Sequence, residues 1–390
     1  MTGLNQQQRQ AETQAATTRL TSLAVTSFRN YAECRFEIDS PQVLLLGPNG
    51  AGKTNLLEAV SMLAPGRGLR RARAEHLPWA GTGTRAWAVS AGVHVDGTDC
   101  QIGSGVPAQS ENGYRIMRRD GETVSQSDIG RLFSASWVTP SMDGIFTDSP
   151  GVRRRFLDRL VIAFDAAHIG RTSRYEKMLR ERNMLLAGGG GDDVWFAAIE
   201  ASLSESAVAV TAARQALIAD LNAEAGAGWH GFPGVRLALN GAVETWLGDM
   251  SALDAEDKFI AVAAKKRSVG DITLPGPHAS DLTARHTDSD MPAHLASTGQ
   301  QKALLIGVVL AHARMQARRL NRPPVLLLDD VVAHLDIERR QALFEAVSIV
   351  GGQSWFSGTD KVDFEGLSAQ LVTISSDGKT AKLGQPEGVI

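Results

Sequence analysis

Several kinds of residue are scarce in this chain of 390 residues, and each scarcity excludes a class of protein. Cys34 and Cys100 are the only cysteines, too few for a disulfide framework or a cysteine-rich metal site. Positive charge is not in excess, since 40 Lys and Arg face 43 Asp and Glu and the net charge is −3. The chain as a whole therefore does not attract nucleic acid, and any such contact must come from local patches.

Long apolar runs are also scarce. No run approaches the roughly 18 residues that span a bilayer, so we expect no membrane segment. Residues 1–19 lack the basic and apolar regions of a secretory signal and predict a disordered tail. With 43% apolar residues the chain is typical of a globular protein, its length suits two domains, and its low cysteine content suits the cytoplasm.

The residues that are present predict a nucleotide-binding α/β domain interrupted by a helical insertion. A first strand around Leu23 and a buried second strand over Val43–Leu46 precede a glycine-rich loop. Apolar residues then recur with helical spacing over Lys53–Ala64. From about Pro150 the pattern becomes helical. We assign 20–145 and 268–390 to the nucleotide domain and 146–267 to an inserted, mainly helical domain.

The glycine-rich loop matches the phosphate-loop pattern G-x-x-x-x-G-K-[ST]. Its residues are Gly47, Pro48, Asn49, Gly50, Ala51, Gly52, Lys53 and Thr54. Glycines allow backbone N–H groups to surround phosphates, and the following helix N-terminus adds positive potential. Lys53 is expected to reach the β and γ phosphates as a catalytic charge, and Thr54 to offer its hydroxyl to Mg²⁺. The strand before the loop and the helix after it argue against a chance glycine turn.

A second motif is the buried strand Val325–Leu328, which ends in Asp329 and Asp330. Asp329 is expected to hold Mg²⁺, and Asp330 to orient the attacking water. Most ABC-type ATPases have a glutamate at the second position, so the shorter Asp330 predicts slow hydrolysis. A strand end with two solvated acids is the alternative, and the phosphate loop in the same chain argues against it.

Two interpretations fit the segment from Ser297 to Gln300, which precedes an amphipathic helix. Ser297 and Gln300 have the spacing of a helix capping box. The segment also resembles the ABC signature, in which Ser297, Gly299 and Gln300 would contact the γ-phosphate of a partner's ATP. Its position ahead of the acidic strand favours the signature. His334–Asp336, after that strand, matches the D-loop that crosses the dimer, with Asp336 at the seam.

More specific motifs resemble the RecF family. In family order they are Phe28–Tyr31, Pro48–Ala59, Arg153–Asp158, Tyr175 with Arg182–Leu186, Gly276–His278 with Asp281–Leu282, and the segments at Ser297 and Asp329. Together they cover about Leu20 to Leu367. The 243 residues from Thr54 to Ser297 are too many for a transporter ATPase and too few for the long-armed repair proteins.

The resemblance implies an ABC-ATPase-type head, with a phosphate loop and a mixed sheet, that carries an inserted helical domain. It implies a weak ATPase used as a conformational switch, with ATP and Mg²⁺ as cofactors and with Arg29 and Asn30 also near the nucleotide. An ATP-dependent homodimer would close on duplex DNA near single-strand gaps, and RecR and RecO would then help to load RecA. Roles in replication restart and SOS induction, and a cytoplasmic, nucleoid-associated location without a membrane, belong to the same expectation.

Candidate DNA contacts form a cluster after the phosphate-loop helix, called here the basic segment: Arg67, Arg70, Arg71 and Arg73. Lys265–Arg267 form a second candidate, and a solvated surface is the alternative for both. Arg153–Arg155 are expected to brace the hinge between the domains.

Three departures from related patterns matter. Ala279 stands where the RecF family usually has Arg, Thr139–Asp143 lack a Gln, and Gly358–Asp360 lack a His. The last two argue against one alternative, an ABC transporter subunit. A second alternative is a scaffold that binds nucleotide without hydrolysing it, which the short side chain of Asp330 makes conceivable.

Overall fold

The computed structural model describes residues 18–376, except 82, 111–112, 189–191 and 334, together with the strands at 381–383 and 387–389. Residues 1–17 of the predicted tail lie outside the described residues. Arg19, the last residue of that predicted tail, is the first residue of a strand. The chain divides into two compact units. The first unit comprises Met1–Asp143, Gly228–Pro233 and Leu305–Ile390, and the second comprises Gly144–Ala227 and Gly234–Leu304.

The strands and helices of both units are as follows. The strands are β1 (Arg19–Phe28), β2 (Tyr31–Glu37), β3 (Gln42–Leu46), β4 (Trp87–Val95), β5 (Thr98–Val106), β6 (Ile116–Arg119), β7 (Glu122–Val124), β8 (Ala135–Val138), β9 (Val235–Asn240), β10 (Asp281–His286), β11 (Val325–Leu328), β12 (Ser354–Gly358), β13 (Gln370–Ser376), β14 (Ala381–Leu383) and β15 (Glu387–Val389). The helices are α1 (Lys53–Ser61), α2 (Gln126–Gly130), α3 (Pro150–Ile162), α4 (His168–Ala187), α5 (Asp193–Ala225), α6 (Ala242–Asp249), α7 (Ala252–Ser268), α8 (Thr298–Leu320) and α9 (Ile337–Val350).

The first unit contains an antiparallel sheet with the strand order β2-β1-β4-β5-β6-β7. Alternate residues of β4 are buried, because one face of the sheet packs on the core and the other faces outward. Asp96 and Gly97 join β4 to β5 with positive φ angles of 51° and 77°, the conformation that a tight hairpin needs. β4 and β5 therefore form a hairpin.

A second sheet of the first unit is mixed, with the order β14-β13-β3-β12-β11-β8 and with β15 also paired to β13. Strands β8, β11, β12, β3 and β13 run parallel. Leu46 pairs with Gly358 and Leu328 with Val138, so the carboxyl ends of these strands meet at one edge. Helix α1 packs in the core shared by both sheets, through Leu56, Leu57 and Val60 among others.

Two details of the first unit differ from the sequence prediction. The buried strand Val43–Leu46 is the third strand, since Tyr31–Glu37 forms a strand of its own at the edge of the antiparallel sheet. The helix after the loop ends at Ser61 instead of Ala64. Every second residue of Tyr31–Glu37 from Glu33 onward is charged and exposed, as is common in an edge strand. The strand therefore has few apolar residues by which its sequence could be recognised.

The second unit is mainly helical, with helices α3 to α7 and the antiparallel pair β9 and β10. Its apolar core joins α4, α5 and α7 through Tyr175, Leu203 and Phe259 among others. The predicted insertion ends at residue 267, whereas the second unit continues to Leu304. One physical reason is the pairing of β10 with β9, which holds Asp281–His286 in this unit with Asp281 opposite Asn240.

Helix α5 is long and apolar enough to cross a membrane by length and composition alone, with a mean hydropathy of 1.2 over its most apolar window. It is also a core helix of the second unit, since 56% of that window is buried within the protein. Its buried face carries polar groups: Arg182 of α4 donates to Glu200 at 3.0 Å, and Ser204 donates to the carbonyl of Glu256 at 2.7 Å. A chain that buries such groups against its own helices is typical of a folded core.

Candidate nucleotide-binding site

The phosphate loop connects β3 to α1 at the edge where the parallel strands end. Gly50 and Gly52 have φ angles of +80° and +120°, which side chains rarely adopt. At Gly47 an added Cβ would lie 2.2 Å from the carbonyl oxygen of Ile374 in the neighbouring strand. Glycine is therefore required at these positions. The N–H of Ala51 donates to the carbonyl of Pro48 at 3.2 Å and that of Gly47 to the carbonyl of Gly358 at 3.3 Å, so these two groups hold the shape of the loop.

Lys53 lies at the start of α1 with its side chain folded back over the loop. Its Nζ donates to the carbonyl oxygens of Gly47 at 2.6 Å and Pro48 at 3.0 Å. Burial lowers the pKa of Lys53, and the carboxylates of Asp330 and Asp329 oppose that shift. The ammonium is thus held inside the loop, where a phosphate would supply the opposite charge.

Asn30 and Tyr31 support the loop from the antiparallel sheet. Asn30 Nδ2 donates to the carbonyl of Ala51 at 3.1 Å, and Tyr31 Oη donates to that of Gly52 at 3.2 Å. Burial raises the pKa of Tyr31. Asn55 Nδ2 in turn donates to Asn30 Oδ1 at 2.6 Å. Asn30 therefore lies beneath the loop and contacts its main chain.

Arg29 adopts a left-handed conformation with φ 55°, unusual for a residue with a side chain. Its guanidinium donates to both carboxylate oxygens of Glu58, at 2.7 and 2.8 Å, and to the carbonyl of His76 at 2.9 Å. Glu58 is 1% exposed and also accepts a hydrogen bond from Arg70 at 3.2 Å. Sequence reasoning missed Glu58, although a carboxylate on the apolar stripe of α1 was a signal for it. The contact between Arg29 and nucleotide stays a prediction.

The acidic strand β11 places Asp329 beside the phosphate loop. Thr54 Oγ1 lies 2.9 and 3.0 Å from the two carboxylate oxygens of Asp329, and Ser357 Oγ donates to the same carboxylate at 2.7 Å. Burial raises the pKa of Asp329, while the hydrogen bonds from Ser357 and Thr54 act in the opposite direction. Sequence reasoning missed Ser357, because a serine in a strand carries no motif of its own.

The residues at this edge fit Mg²⁺ and a nucleotide triphosphate. The hydroxyl of Thr54 and the carboxylate of Asp329 are the hard oxygen ligands that Mg²⁺ prefers, usually beside phosphate oxygens and water. Among the described residues, no group of three His, Cys, Asp or Glu could hold a metal by itself. A magnesium ion completed by phosphates is the arrangement that matches this donor set.

Asp330 also has an unusual backbone, with φ 50°. Its N–H donates to Ser357 Oγ at 2.9 Å, so one serine hydroxyl contacts both acidic residues. Aspartate tolerates this conformation better than most residues do. Non-glycine residues with such backbones are found disproportionately at functional sites.

The segment at Ser297 begins α8 and belongs to the second unit. Ser297 N donates to Gln300 Oε1 at 3.0 Å and Gln300 N donates to Ser297 Oγ at 3.4 Å, which forms both halves of the capping box. An added Cβ at Gly299 would meet no atom within 4 Å. The cap is thus formed, and the role of Ser297, Gly299 and Gln300 as a signature stays a prediction.

Asp336 begins helix α9 as its N-cap and accepts a hydrogen bond from the N–H of Arg339 at 2.8 Å. His334, in the same predicted D-loop, lies outside the described residues. The proposed place of Asp336 at a dimer seam therefore stays a prediction, and the cap is its observed contact.

All four arginines of the basic segment are exposed. Arg70 donates to Asn55 Oδ1 at 2.5 Å and to Glu58, so it is linked to the support of the phosphate loop. Arg73 lies 3.5 Å from Glu75. These contacts leave the segment on the surface, and its role in DNA binding stays a prediction.

The other predicted basic groups make contacts within the second unit. Lys266 pairs with Asp271 at 2.7 Å, and Arg267 pairs with Asp193. Arg153 pairs with Asp281 at 2.8 Å, and Arg154 donates to the carbonyl of Ser280. These partners give Arg153 and Arg154 a role in holding α3 to β10.

The Gly-Pro-His motif of the second unit is tied to its helices. His278 Nδ1 lies 2.5 Å from Tyr175 Oη, and Arg214 donates to the carbonyl of Pro277 at 2.7 Å. Burial lowers the pKa of His278, and the nearby Arg154 adds to the effect. At Ala279, the departure from the family pattern, the N–H donates to the carbonyl of Gly276 in a tight turn.

Comparison with known proteins identifies the family to which the chain is similar. The family described as RecF/RecN/SMC N terminal domain matches residues 19–355. The DNA replication and repair protein RecF of Brucella suis biovar 1 (strain 1330) is 43% identical over 369 residues, covering 91% of this chain and 94% of that protein. RecF of Agrobacterium fabrum (strain C58 / ATCC 33970) is 42% identical over 372 residues, covering 93% and 98%.

Solved structures agree on the fold. The recombination mediator protein RecF-ATPrS in the RecFOR pathway superposes with a TM-score of 0.79 at 21% identity, covering 94% of this chain and 98% of that one. An Smc head domain derived from Pyrococcus furiosus gives a TM-score of 0.52 at 14% identity, covering 94% and 96%. The fold is thus that of an ABC-ATPase-type head with an inserted helical part, as predicted. Because the family model matches most of the chain and the RecF relatives are 42–43% identical to it, the chain belongs to the RecF family.

Proposed function

We propose that this chain is an ATP-dependent DNA-binding clamp of recombinational repair. The observation that carries the proposal is the contact of Thr54 with both carboxylate oxygens of Asp329, beside a Lys53 held inside a phosphate loop. Membership of the RecF family supports it, since the relatives are named as DNA replication and repair proteins. That membership also argues against the alternative function, a subunit of an ABC transporter.

The residues of the site would divide the work of a slow ATPase that converts ATP and water to ADP and phosphate. Bound Mg-ATP supplies the phosphoryl group and the charge that is neutralised. Thr54 and Asp329 hold the cation, and Lys53 balances the charge of the β and γ phosphates. Asp330 orients the attacking water and accepts its proton, with a reach one methylene shorter than that of glutamate.

Closure would bring the signature of one copy to the phosphates of the other. Ser297 caps α8 and Gly299 lies in its first turn. The N-terminus of a helix is suited to a phosphate because its first N–H groups lack partners within the helix. The open space beside Gly299 leaves room for such an approach. Asp336 would lie at the seam. In this proposal ATP closes a homodimer on duplex DNA near a single-strand gap, and hydrolysis reopens it.

The relatives suggest the biological setting. One solved relative is described as a recombination mediator in the RecFOR pathway. We infer that RecR and RecO are partners of this chain, that RecA is loaded next, and that replication restart and SOS induction depend on the same step. Such work places the protein in the cytoplasm at the nucleoid.

The direct test is the molar mass in solution with and without ATP, Mg²⁺ and a gapped duplex, by analytical ultracentrifugation. We expect a monomer with ADP and a dimer with ATP. Lys53→Ala should remain a folded monomer in both, because it removes the main fixed charge on the phosphates. Lys361→Ala, an exposed lysine of the same unit, is the matched control. Dimerisation of Lys53→Ala with ATP would contradict the proposal.

One second candidate remains, a nucleotide-bound scaffold without hydrolysis, and the short Asp330 is the observation in its favour. Release of inorganic phosphate from ATP, with and without duplex DNA, separates the two. No release above the level of the Lys53→Ala variant would favour the scaffold.

A further inference from the structure

A pocket of about 230 Å³ opens on the surface of the first unit at the end of the basic segment. The residues that line it include Arg73, Glu75, Arg85, Val106 and Tyr114. Val106 ends β5, Arg85 lies two residues before β4, and Tyr114 lies two residues before β6, so part of the lining is next to strands of the antiparallel sheet. None of these groups takes part in the nucleotide site.

Tyr114 is the unusual member of this pocket, since its side chain is 73% exposed. Its main chain is nevertheless anchored by the next residue. The half-buried guanidinium of Arg115 donates to the carbonyls of Met62 at 2.7 Å and Ala64 at 3.1 Å, and to Ser104 Oγ at 2.6 Å. Burial lowers the pKa of Arg115 to about 10. The ring is therefore presented to solvent from a held backbone, which reduces the entropy that binding would cost.

The pocket combines an aromatic face with positive charge. Arg73 and Arg85 contribute two guanidinium groups against the single carboxylate of Glu75, which lies 3.5 Å from Arg73. Its volume is below the about 300–1,000 Å³ of pockets for drug-sized ligands, so it suits one ring system and excludes a duplex. Aromatic rings beside arginines are what proteins use to bind unpaired nucleotides, by stacking on the base and pairing with the phosphate.

We propose that this pocket binds one unpaired nucleotide of DNA, with the base stacked on Tyr114 and the flanking phosphates held by Arg73 and Arg85. The carboxylate of Glu75 can accept hydrogen bonds from an amino group of the base. This inference rests on the proposed DNA-binding function and adds a means by which a single-strand gap is distinguished from an intact duplex.

The test compares two fluorescein-labelled DNAs of the same sequence, one a blunt duplex and one with a short single-stranded gap, by anisotropy in the presence of ATP and Mg²⁺. Wild type should bind the gapped DNA more tightly. Tyr114→Ala should lower the affinity for gapped DNA about tenfold, the effect of losing one stacked base. Its affinity for the blunt duplex should stay the same. Tyr114→Phe keeps the ring and should behave as wild type.

Trp195→Ala is the matched control, because it removes an exposed aromatic ring, 56% exposed, from the second unit. If Tyr114→Ala keeps the preference of wild type for gapped DNA, the proposal that this pocket binds an unpaired nucleotide is wrong. If wild type binds both DNAs equally, the proposal for the pocket is wrong, while the proposed DNA-binding function still stands. A wild type that binds neither would overturn the proposed function as well.

Discussion

Ser357 and Asp329 are hydrogen bonded at 2.7 Å, from the strand β12 to the acidic end of its neighbour β11. The same hydroxyl accepts the N–H of Asp330 at 2.9 Å. One serine thus fixes the orientation of the carboxylate expected to hold Mg²⁺ and the backbone of the residue expected to orient water. Groups that orient metal ligands in this way control affinity and rate without touching the metal.

Ser357→Ala should therefore lower the apparent affinity for Mg²⁺ in ATP hydrolysis by about 10- to 100-fold. Titration of phosphate release against Mg²⁺ measures it. Ser354→Ala is the control, because Ser354 is buried in the same strand and its hydroxyl has no hydrogen-bond partner among the described residues. Equal magnesium dependence in the two variants would show that Ser357 has no orienting role.

Asp329→Asn should stabilise the nucleotide-free protein at neutral pH. Burial raises the pKa of Asp329 above its ordinary value of 3.8, so stability is lost as the pH rises from about 3.8 through the folded pKa and the carboxylate ionises. The advantage of Asn should shrink as the pH falls toward 3.8, because Asp329 then becomes protonated and neutral, as Asn is at every pH. Thermal unfolding across this pH range measures the trend, and a variant less stable than wild type at pH 7 would contradict it.

The same variant should lose the stabilisation that Mg-ATP gives to wild type. A ligand at 100 times its Kd raises the free energy of unfolding by about 2.7 kcal/mol. Without the carboxylate, Mg-ATP should produce a much smaller increase in Tm, while ATP with EDTA should act equally on both proteins.

Asp330→Asn should bind ATP and dimerise but hydrolyse ATP about 10²- to 10⁴-fold more slowly, the usual contribution of a general base. Asparagine tolerates the left-handed backbone at this position, so the substitution changes the charge and leaves the fold unstrained. Phosphate release and dimer lifetime are the measurements. An unchanged rate would mean that another group activates the water.

Glu58→Ala should destabilise the protein by about 3–5 kcal/mol, because it leaves the half-buried Arg29 without its bidentate partner. Glu37→Ala is the contrast, since the pair of Glu37 with Arg35 is exposed and worth about 0–1 kcal/mol. Urea unfolding of both variants tests this. A loss of less than about 1 kcal/mol for Glu58→Ala would show that the buried pair is unimportant for stability.

Changing Arg70 and Arg71 together to Ala should flatten the slope of log affinity for duplex DNA against log salt by about two units. Sequence preference should not change, because phosphates carry no sequence. The exposed pair Arg35 and Arg180 provides a control with the same charge change. Since Arg70 donates to Asn55 beside the phosphate loop, the affinity for ATP should be measured in parallel. If the salt slope of the double variant equals that of wild type, the basic segment does not contact DNA and is an ordinary solvated surface.

Elements whose signals are local follow from the amino-acid sequence alone. The phosphate loop, the strand ending in Asp329 and Asp330, and the capping box of Ser297 and Gln300 are each defined by residues within a few positions of one another. Their chemistry follows from residue type and spacing, and so does the alternation of helical and extended segments.

Which of these elements come into contact depends on long-range packing. Thr54 and Asp329 are 275 residues apart, and the parallel order of β3, β12 and β11 brings them into contact and places Ser357 beside them. The pairing of β9 with β10, and not any composition boundary at residue 267, keeps the chain in the second unit as far as His286, and the unit runs on to Leu304. In the sequence, Glu58 is simply a charged residue on a helix. In the folded protein its carboxylate contacts both Arg29 and Arg70. Such an ion pair depends on long-range packing, which the periodicity of the sequence does not encode.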